Sequence, residues 1–416
     1  VSLAAPPAPP ATAPPAEIAC LAALCGARAL TPVFDALAAR SALNGAPPVH
    51  ILQIGDSHSA GDAISGAWRD ILQGRYGAGG RGVLPPGSPY WGFLPHGVHV
   101  SQSAGWRVEA TFGAAAPADP GAVFGISGFR LSAAGAGASI ALAAEPRAAF
   151  SRAIVCAVTG PGAGSYALVM GGETWRVALA GPPGAACRAF EAAGLQLDAA
   201  LTTEGGPVTL LSWATFRPGG VTLSNLGVVG AQLRHFARAD DDALAEEFRA
   251  YAPDLIVLEF GTNEGFSGRF DGPAYESLLR GQIARLKRLS GGAPILILGA
   301  PDAETDRRAL AHNAEPLPGE ALSIGSGPRA AGGWFEPPAL ARTRDIQRRV
   351  AAEAGVAFWD WAMRMGGDGT AQDWATRAPP LMRGDRVHYT AEGGAEIARR
   401  LQADLDAAAA ATAAPP

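Results

Sequence analysis

The chain has 416 residues, a net charge of −5 and an apolar fraction near one half, enough to fill a large core and more than one domain at roughly 100–200 residues each. This excludes a disordered chain, and its scattered Lys and Arg build no positive stripe for a polyphosphate backbone, so nucleic acid is not an expected partner. No apolar run approaches the roughly 20 residues that cross a bilayer, so no membrane span is expected.

In chain order, residues 1–17 (VSLAAPPAPPATAPPAE) are almost wholly Ala and Pro, a composition that makes an extended linker. They read as a linker following a removed export signal, the alternative being a trimmed chain. Four cysteines follow, Cys20, Cys25, Cys156 and Cys187. An even count in two local pairs fits disulfides in an oxidising compartment, with Cys20–Cys25 and Cys156–Cys187 preferred among three pairings. Four reduced, buried thiols are the alternative.

The first strong strand is VHILQIG, Val49 to Gly55, running through a Gly-Asp-Ser turn into a predicted helix from about Ser59 to Tyr76. From roughly Phe93 to Val221 the texture becomes Gly-rich with short alternating pieces such as GFRLSA and VTLLSWATF. That pattern predicts an antiparallel sandwich or jelly roll inserted into the chain, or else an elaborate loop system of the main sheet. Strands and helices then alternate: a helix near Asp242 to Tyr251, the strand DLIVLEFG, a helix near Ala274 to Leu289, the strand APILILGAPD, a helix from about Pro338 to Glu353, the strand VAFWDW and a last helix from about Ala391 to Ala408. Near-continuous apolar strands separated by helices imply a parallel sheet covered on both faces, a three-layer α/β/α domain. The expected organisation is a linker at 1–17, a discontinuous α/β domain at 18–92 and 222–410, and a β insert at 93–221.

Four short segments carry candidate chemistry. Gly55-Asp56-Ser57-His58-Ser59 lies where the first strand meets a helix, at the carboxyl edge where open parallel sheets bind ligands; an isolated GDS is more often an ordinary N-cap. Asp385-Arg386-Val387-His388 precedes the last helix. Three-residue spacing lets the carboxylate reach His Nδ1 while Nε2 faces a nucleophile, although a loop ion pair has the same spacing. Phe260-Gly261-Thr262-Asn263-Glu264 ends another strand, and the Asn263 amide offers a donor to a developing oxyanion; a plain turn with left-handed Asn is the alternative. Gly230-Ala231-Gln232 offers a further glycine N–H. His58 is too near Ser57 in sequence to be the preferred base and reads as packing or hydrogen bonding within the loop; Glu264 reads as loop support.

Taken together these segments resemble the blocks of the SGNH hydrolase superfamily, with Ser57, Gly230, Asn263 and His388 in the required chain order. Two positions depart from the commonest pattern, GDSH in place of GDSL and Glu after the block Asn in place of Asp; neither removes a reacting group. A β module between the nucleophile and glycine blocks, with RYGAGGRGVLPP, NLGVVGAQL, LEFGTNEG, FWDWAMRMGG and GDRVHYTAEGGAEIA in order, resembles the Ape-type peptidoglycan O-acetylesterases from about Val49 to Leu401. That resemblance implies an SGNH domain interrupted by a carbohydrate-binding-module-like jelly roll. It implies a serine esterase that removes acetyl from the C6 hydroxyl of N-acetylmuramic acid, with Ser57, His388 and Asp385 as triad, Asp56 in support, and the Ser57 and Gly230 N–H groups and the Asn263 amide as oxyanion hole. No cofactor or metal is required, and His96 and His99 lie in a Gly/Pro loop without zinc-site spacing.

The expected partner is an acetylated glycan and the expected location an exported, periplasmic one. Trp91, Trp106, Trp334, Trp359, Trp361 and Trp374 are candidate sugar-stacking residues, most of them read as core, and the 382–386 loop with Arg383 is a better site for acyl or glycan contact. The rival readings are an acetylesterase or O-acetyltransferase acting on another polysaccharide, and a glycan-binding protein without catalysis. A long-chain lipase is disfavoured because no Leu/Phe-rich lid flanks the blocks.

Overall fold

The structure is a computed structural model that describes residues 19–40, 46–117, 119, 121–306 and 333–413; the stretch read as a linker at 1–17 lies outside them. Two short strands, β1 (Cys20–Leu21) and β2 (Leu24–Cys25), form a hairpin followed by α1 (Thr31–Arg40). Then come β3 (Val49–Gly55), α2 (Ser57–Ala60) and α3 (Ala63–Tyr76). After the intervening β-rich segment the alternation resumes with β4 (Val221–Gly227), α4 (Asp241–Tyr251), β5 (Leu255–Glu259), α5 (Gly272–Leu289), β6 (Ile295–Leu298), α6 (Pro338–Ala354), β7 (Ala357–Trp359) and α7 (Ala391–Ala413).

These strands pair in the order β1-β2-β7-β6-β5-β3-β4. The five from β7 to β4 are parallel, and β2 joins β7 antiparallel at one edge. Because side chains alternate along a strand, the sheet supplies two cores. Leu52, Ile54, Ile256, Leu258, Ile295 and Ile297 pack on one face against α4, α5 and α6. Val49, Ile51, Leu255, Val257, Leu296 and Leu298 pack on the other against α1, α3 and α7. This is the three-layer α/β/α architecture expected from buried parallel strands.

The intervening segment is a sandwich of two antiparallel sheets. One contains Gly184–Gln196, Phe150–Thr159, Val208–Phe216, Phe129–Ala133 and Arg107–Ala110, with Gly82–Leu84 also paired to Val208–Phe216; the other contains Glu173–Ala178, Ser165–Met170, Asp198–Gly205, Ser139–Ala144 and Val98–Gln102. Leu131, Phe150, Val155, Tyr166, Leu201 and Trp213 fill the space between. The opposite side of the first sheet is also apolar: Ile154, Cys156, Ala214 and Phe216 join the same core as α4 and the central sheet. The sandwich therefore shares a hydrophobic core with the α/β domain.

Both preferred disulfides are present, Cys20–Cys25 within the β1–β2 hairpin and Cys156–Cys187 between neighbouring strands of the sandwich. The helix expected from Ser59 to Tyr76 is instead two, broken at Gly61 and Asp62. Asp62 adopts a left-handed φ of 49° and turns its buried carboxylate onto Arg69 (3.0 Å) and Arg81 (3.1 Å), a compensation that a helical Asp at this position would forgo. The β1–β2 hairpin has no alternating pattern long enough to announce it.

Candidate active site

The register of the parallel strands assembles the site. Gly55 at the end of β3 lies opposite Gly227 of β4 on one side and Glu259 of β5 on the other, so the three following loops leave the sheet at one level. A Cβ on Gly55 would collide with the Glu259 carbonyl, the Glu259 carboxylate and Ser59 Oγ, and one on Gly227 with the backbone of Ala60 and Asp56. Glycine at both positions is a packing requirement that lets the turn bearing Ser57 sit between its neighbours.

Ser57 opens α2, and Asp56 caps that helix by accepting from the His58 N–H at 3.0 Å. His388 Nε2 lies 2.9 Å from Ser57 Oγ, and His388 Nδ1 lies 2.8 Å from Asp385 Oδ2. The other Asp385 oxygen accepts the backbone N–H groups of Val387 and His388, each at 3.0 Å. Partial burial works against the Asp385 charge, but the His388 ring and these two amides outweigh it and hold the carboxyl at about 2. Arg386, at a left-handed φ of 55°, ion-pairs with buried Glu304 and stacks over Trp334 at 4.3 Å. The loop carrying His388 is thereby fixed to the segment after β6.

Asp56 is the hub of the arrangement. Its Oδ1 faces His58 Nδ1 at 3.1 Å, and its Oδ2 accepts from Asn263 Nδ2 at 3.1 Å. Asn263 Nδ2 also donates to the Ala231 carbonyl at 2.9 Å. Two acceptors fix which way the amide points, and a substrate oxygen must compete with one of them. Glu264 accepts from Leu233 N (2.7 Å) and Gly261 N (3.0 Å), tying the loop after β4 to the loop after β5. Burial pushes its carboxyl up to about 7 despite these amides. Gly230 occupies a turn closed by Ala231 N–H to the Val228 carbonyl (2.9 Å) with φ of 80°, and it is exposed. Phe112, from the sandwich, stacks on His235 at 4.1 Å and lies beside the Gly230 turn.

The structure thus brings Ser57, Asp385 and His388 into one hydrogen-bonded chain, with Asp56 and Asn263 joined to each other beside it. Gly230 stands on the neighbouring loop. Trp359, Trp361 and Trp374 are buried, while Trp91 stands fully exposed. Arg383 projects from the final loop, its backbone N–H held by the His388 carbonyl at 2.7 Å. Sequence reasoning did not single out Glu259, whose Oε2 accepts from Asp56 N, Ser59 N and Ser59 Oγ at 3.2, 3.1 and 2.9 Å. It also missed Asn225, which accepts from Arg69 and Arg81 and donates to the Ser59 carbonyl. A charged or amide residue inside an apolar strand was the available signal for both.

Two clusters among the described residues bring three potential metal ligands together: Asp56, His58 and Glu259, and Asp302, Glu336 and Asp368. His58 faces both carboxylates of the first, and Arg344 ion-pairs with Glu336 and Asp368 of the second.

A model of the GDSL-like lipase/acylhydrolase family matches residues 198–395. No curated protein matches the chain in sequence. Among solved structures, one described as a peptidoglycan O-acetylesterase in action superposes with a TM-score of 0.70 at 24% identity, covering 91% of this chain and 96% of that one. By that partial family match and that fold, the chain is similar to SGNH-type ester hydrolases. Less similar structures include an acetyl xylan esterase (TM-score 0.30, 16% identity, 44% of this chain and 80% of that one). Another is a family two carbohydrate esterase from Clostridium thermocellum in complex with cellohexaose (TM-score 0.27, 12% identity, 73% of this chain and 98% of that one). The segment of this chain that matches the family model contains Gly230, Asn263, Asp385 and His388, whereas Ser57 precedes it. Strand pairing between β3 and its neighbours β4 and β5 joins the two.

Proposed function

We propose that this hydrolase removes O-acetyl groups from a cell-wall glycan, the C6 O-acetyl of peptidoglycan N-acetylmuramic acid, through an acetyl-enzyme on Ser57. The observation that carries the reading is the relay from Ser57 Oγ through His388 to Asp385, at 2.9 and 2.8 Å, within a fold similar over nearly all of its length to a structure described as a peptidoglycan O-acetylesterase. In this mechanism neutral His388 accepts the Ser57 proton as Oγ attacks the acetyl carbonyl, and Asp385 stabilises the imidazolium that forms. The Ser57 and Gly230 N–H groups and the Asn263 amide receive the tetrahedral oxyanion. His388 then returns the proton to the departing sugar oxygen, and a water deprotonated by the same ring hydrolyses the acetyl-enzyme.

About a third to a half of the His388 and Asp385 side chains is open to solvent. Free access of water supports hydrolysis over transfer of the acetyl group to a second sugar. The division into an α/β domain at 18–92 and 222–410 with a β insert at 93–221 belongs to the same proposal, as does an exported, periplasmic location, which two disulfides and a cell-wall substrate both support. The test is acetate release from O-acetylated peptidoglycan by the wild type and by Ser57→Ala. Release by the wild type alone supports nucleophile and substrate together. Cleavage of an aryl acetate without release from peptidoglycan would reassign the substrate to another acetylated polysaccharide, and inactivity on both would favour a glycan-binding role.

A further inference from the structure

His58 follows the nucleophile and is buried, and its ring touches both halves of the site. Nδ1 lies 3.1 Å from Asp56 Oδ1 and 3.6 Å from Glu259 Oε1. Nε2 lies 3.0 Å from the backbone carbonyl of Val387, the residue before His388. A carbonyl oxygen can only accept, and the Asp56 carboxylate already receives the His58 N–H and the Asn263 amide, which marks it as an acceptor as well. A neutral imidazole has one N–H. With a single proton, one of these two contacts would set lone pair against lone pair at about 3 Å within a buried site. Only the doubly protonated ring satisfies both.

We propose that His58 is a positioning residue: a standing imidazolium that ties the turn bearing Ser57 to the loop bearing His388 and so holds the two reacting side chains in register. The proposal rests on the reading of Ser57 and His388 as the catalytic pair. The surroundings on every side agree with the charge. Burial opposes it, but the hydrogen bonds and charges of Asp56, on the turn after β3, and Glu259, at the end of β5, outweigh burial and hold His58 well above its usual range. From the final loop, the His388 and Tyr389 rings approach at 5.6 and 5.7 Å, and Trp361 meets the ring edge-on at 5.3 Å. None of these three supplies a carboxylate, so the carboxyl groups facing the ring are Asp56 and Glu259, the latter pushed up by burial and by the Asp56 charge against the pull of His58. Loss of the proton would force the ring to give up either Asp56 or the Val387 carbonyl, and with the latter the placement of His388. Misplacement of a reacting group on the scale of 1 Å costs about 100-fold in rate.

The experiment pairs ring NMR with kinetics on the whole chain. In protein labelled with 15N-histidine, one imidazole is expected to keep both protons above pH about 8, where an ordinary histidine is neutral, and its signal is expected to be absent from His58→Gln. The wild-type kcat for an aryl acetate should fall at high pH with the midpoint at which that ring loses its proton. His58→Gln should lose this alkaline limb and run roughly 10- to 100-fold slower with KM little changed. If His58→Gln does not fold, the two wild-type midpoints still decide. A ring already neutral at pH about 8, midpoints that disagree, or a folded variant with wild-type kcat and alkaline limb would each overturn the proposal. Absence of all esterase activity in the wild type would instead remove the catalytic reading beneath it, an outcome that the ring spectrum distinguishes from a neutral His58.

Discussion

Asp385 sits at a solvent-open end of the relay and is held at about 2 by the His388 ring and two backbone amides against partial burial. It is therefore ionised wherever the protein is folded at ordinary pH, and its folded value lies below its unfolded one. Stability from this group is fully present above about 3.8 and is lost only as pH falls through its folded value. Asp385→Asn is expected to preserve the contacts to the Val387 and His388 amides while presenting an N–H to His388 Nδ1, which favours the wrong tautomer. The expected outcome is a drop in kcat of about 1,000-fold or more toward an aryl acetate, with KM little changed. A variant within tenfold of wild type would show that Asp385 does not orient His388. Asp56 has a different task, because its oxygens face His58 and Asn263 and cap the helix begun by Ser57.

At the scale of elements, the close approach of β3 to β5 decides where Ser57 stands. Gly55 leaves no room for a methyl group between the Glu259 backbone, the Glu259 carboxylate and Ser59. Gly55→Ala is therefore expected to lower the free energy of unfolding by about 3 kcal/mol, the upper part of the usual overpacking range, and to lose activity with it. Denaturant unfolding checks this, and a folded, fully active Gly55→Ala protein would show that the turn has slack. The Cys156–Cys187 bridge joins two strands already paired side by side and closes a loop of 31 residues in sequence separation. Its main effect is on the unfolded chain. Replacing both cysteines by alanine should lower stability by about 3–4 kcal/mol on the loop-entropy scale while leaving kcat for an aryl acetate unchanged, since neither cysteine touches the relay. A change in kcat at a temperature where the variant stays folded would contradict that separation.

For the molecule as a whole, the consequential feature is the shared core between sandwich and α/β domain. Its polar centre is Glu247 of α4, which accepts from Ile126 N at 2.6 Å and also pairs with Ser212, whose hydroxyl lies 2.7 Å from Tyr251 Oη. Ile126 and Ser212 belong to the sandwich side, Glu247 and Tyr251 to the α/β side. Burial pushes the Glu247 carboxyl from 4.5 up to about 7, in spite of these hydrogen bonds. The folded state thus holds a proton that the unfolded state has released between those values. Stability from this group is present below about 4.5 and is lost as pH rises through about 7. Thermal melting from pH 5 to pH 8 should show the wild type losing stability with rising pH more steeply than Glu247→Gln; parallel curves would mean that Glu247 is ionised in the fold.

Much of this molecule was legible without coordinates. The run Val49 to Gly55 is strand-forming because it is apolar and β-branched, and the alternation after Asp241 implies a parallel sheet because strands buried on both faces lose their polar alternation. Ser57, Asn263, Asp385 and His388 could be selected because loops at the carboxyl edge of such a sheet converge whatever the distance along the chain. Glu264 could be read as loop support from its place beside Asn263. Other features depend on contacts between residues far apart in sequence. His58 was read as a local packing or hydrogen-bonding residue, and only the fold brings the Val387 carbonyl to its second nitrogen across 329 positions. Glu259 resembles one polar end of an apolar strand until β3 is laid against β5. The break between α2 and α3 follows from two arginines that reach Asp62 in the folded state. The union of sandwich and α/β domain into one core arises because the first sandwich sheet is apolar on both faces, a property that single short strands display as mere hydrophobicity. Local patterns determine which elements form and which chemistry they carry; tertiary packing decides which groups share a proton, because that depends on distances between segments that covalent connectivity does not constrain.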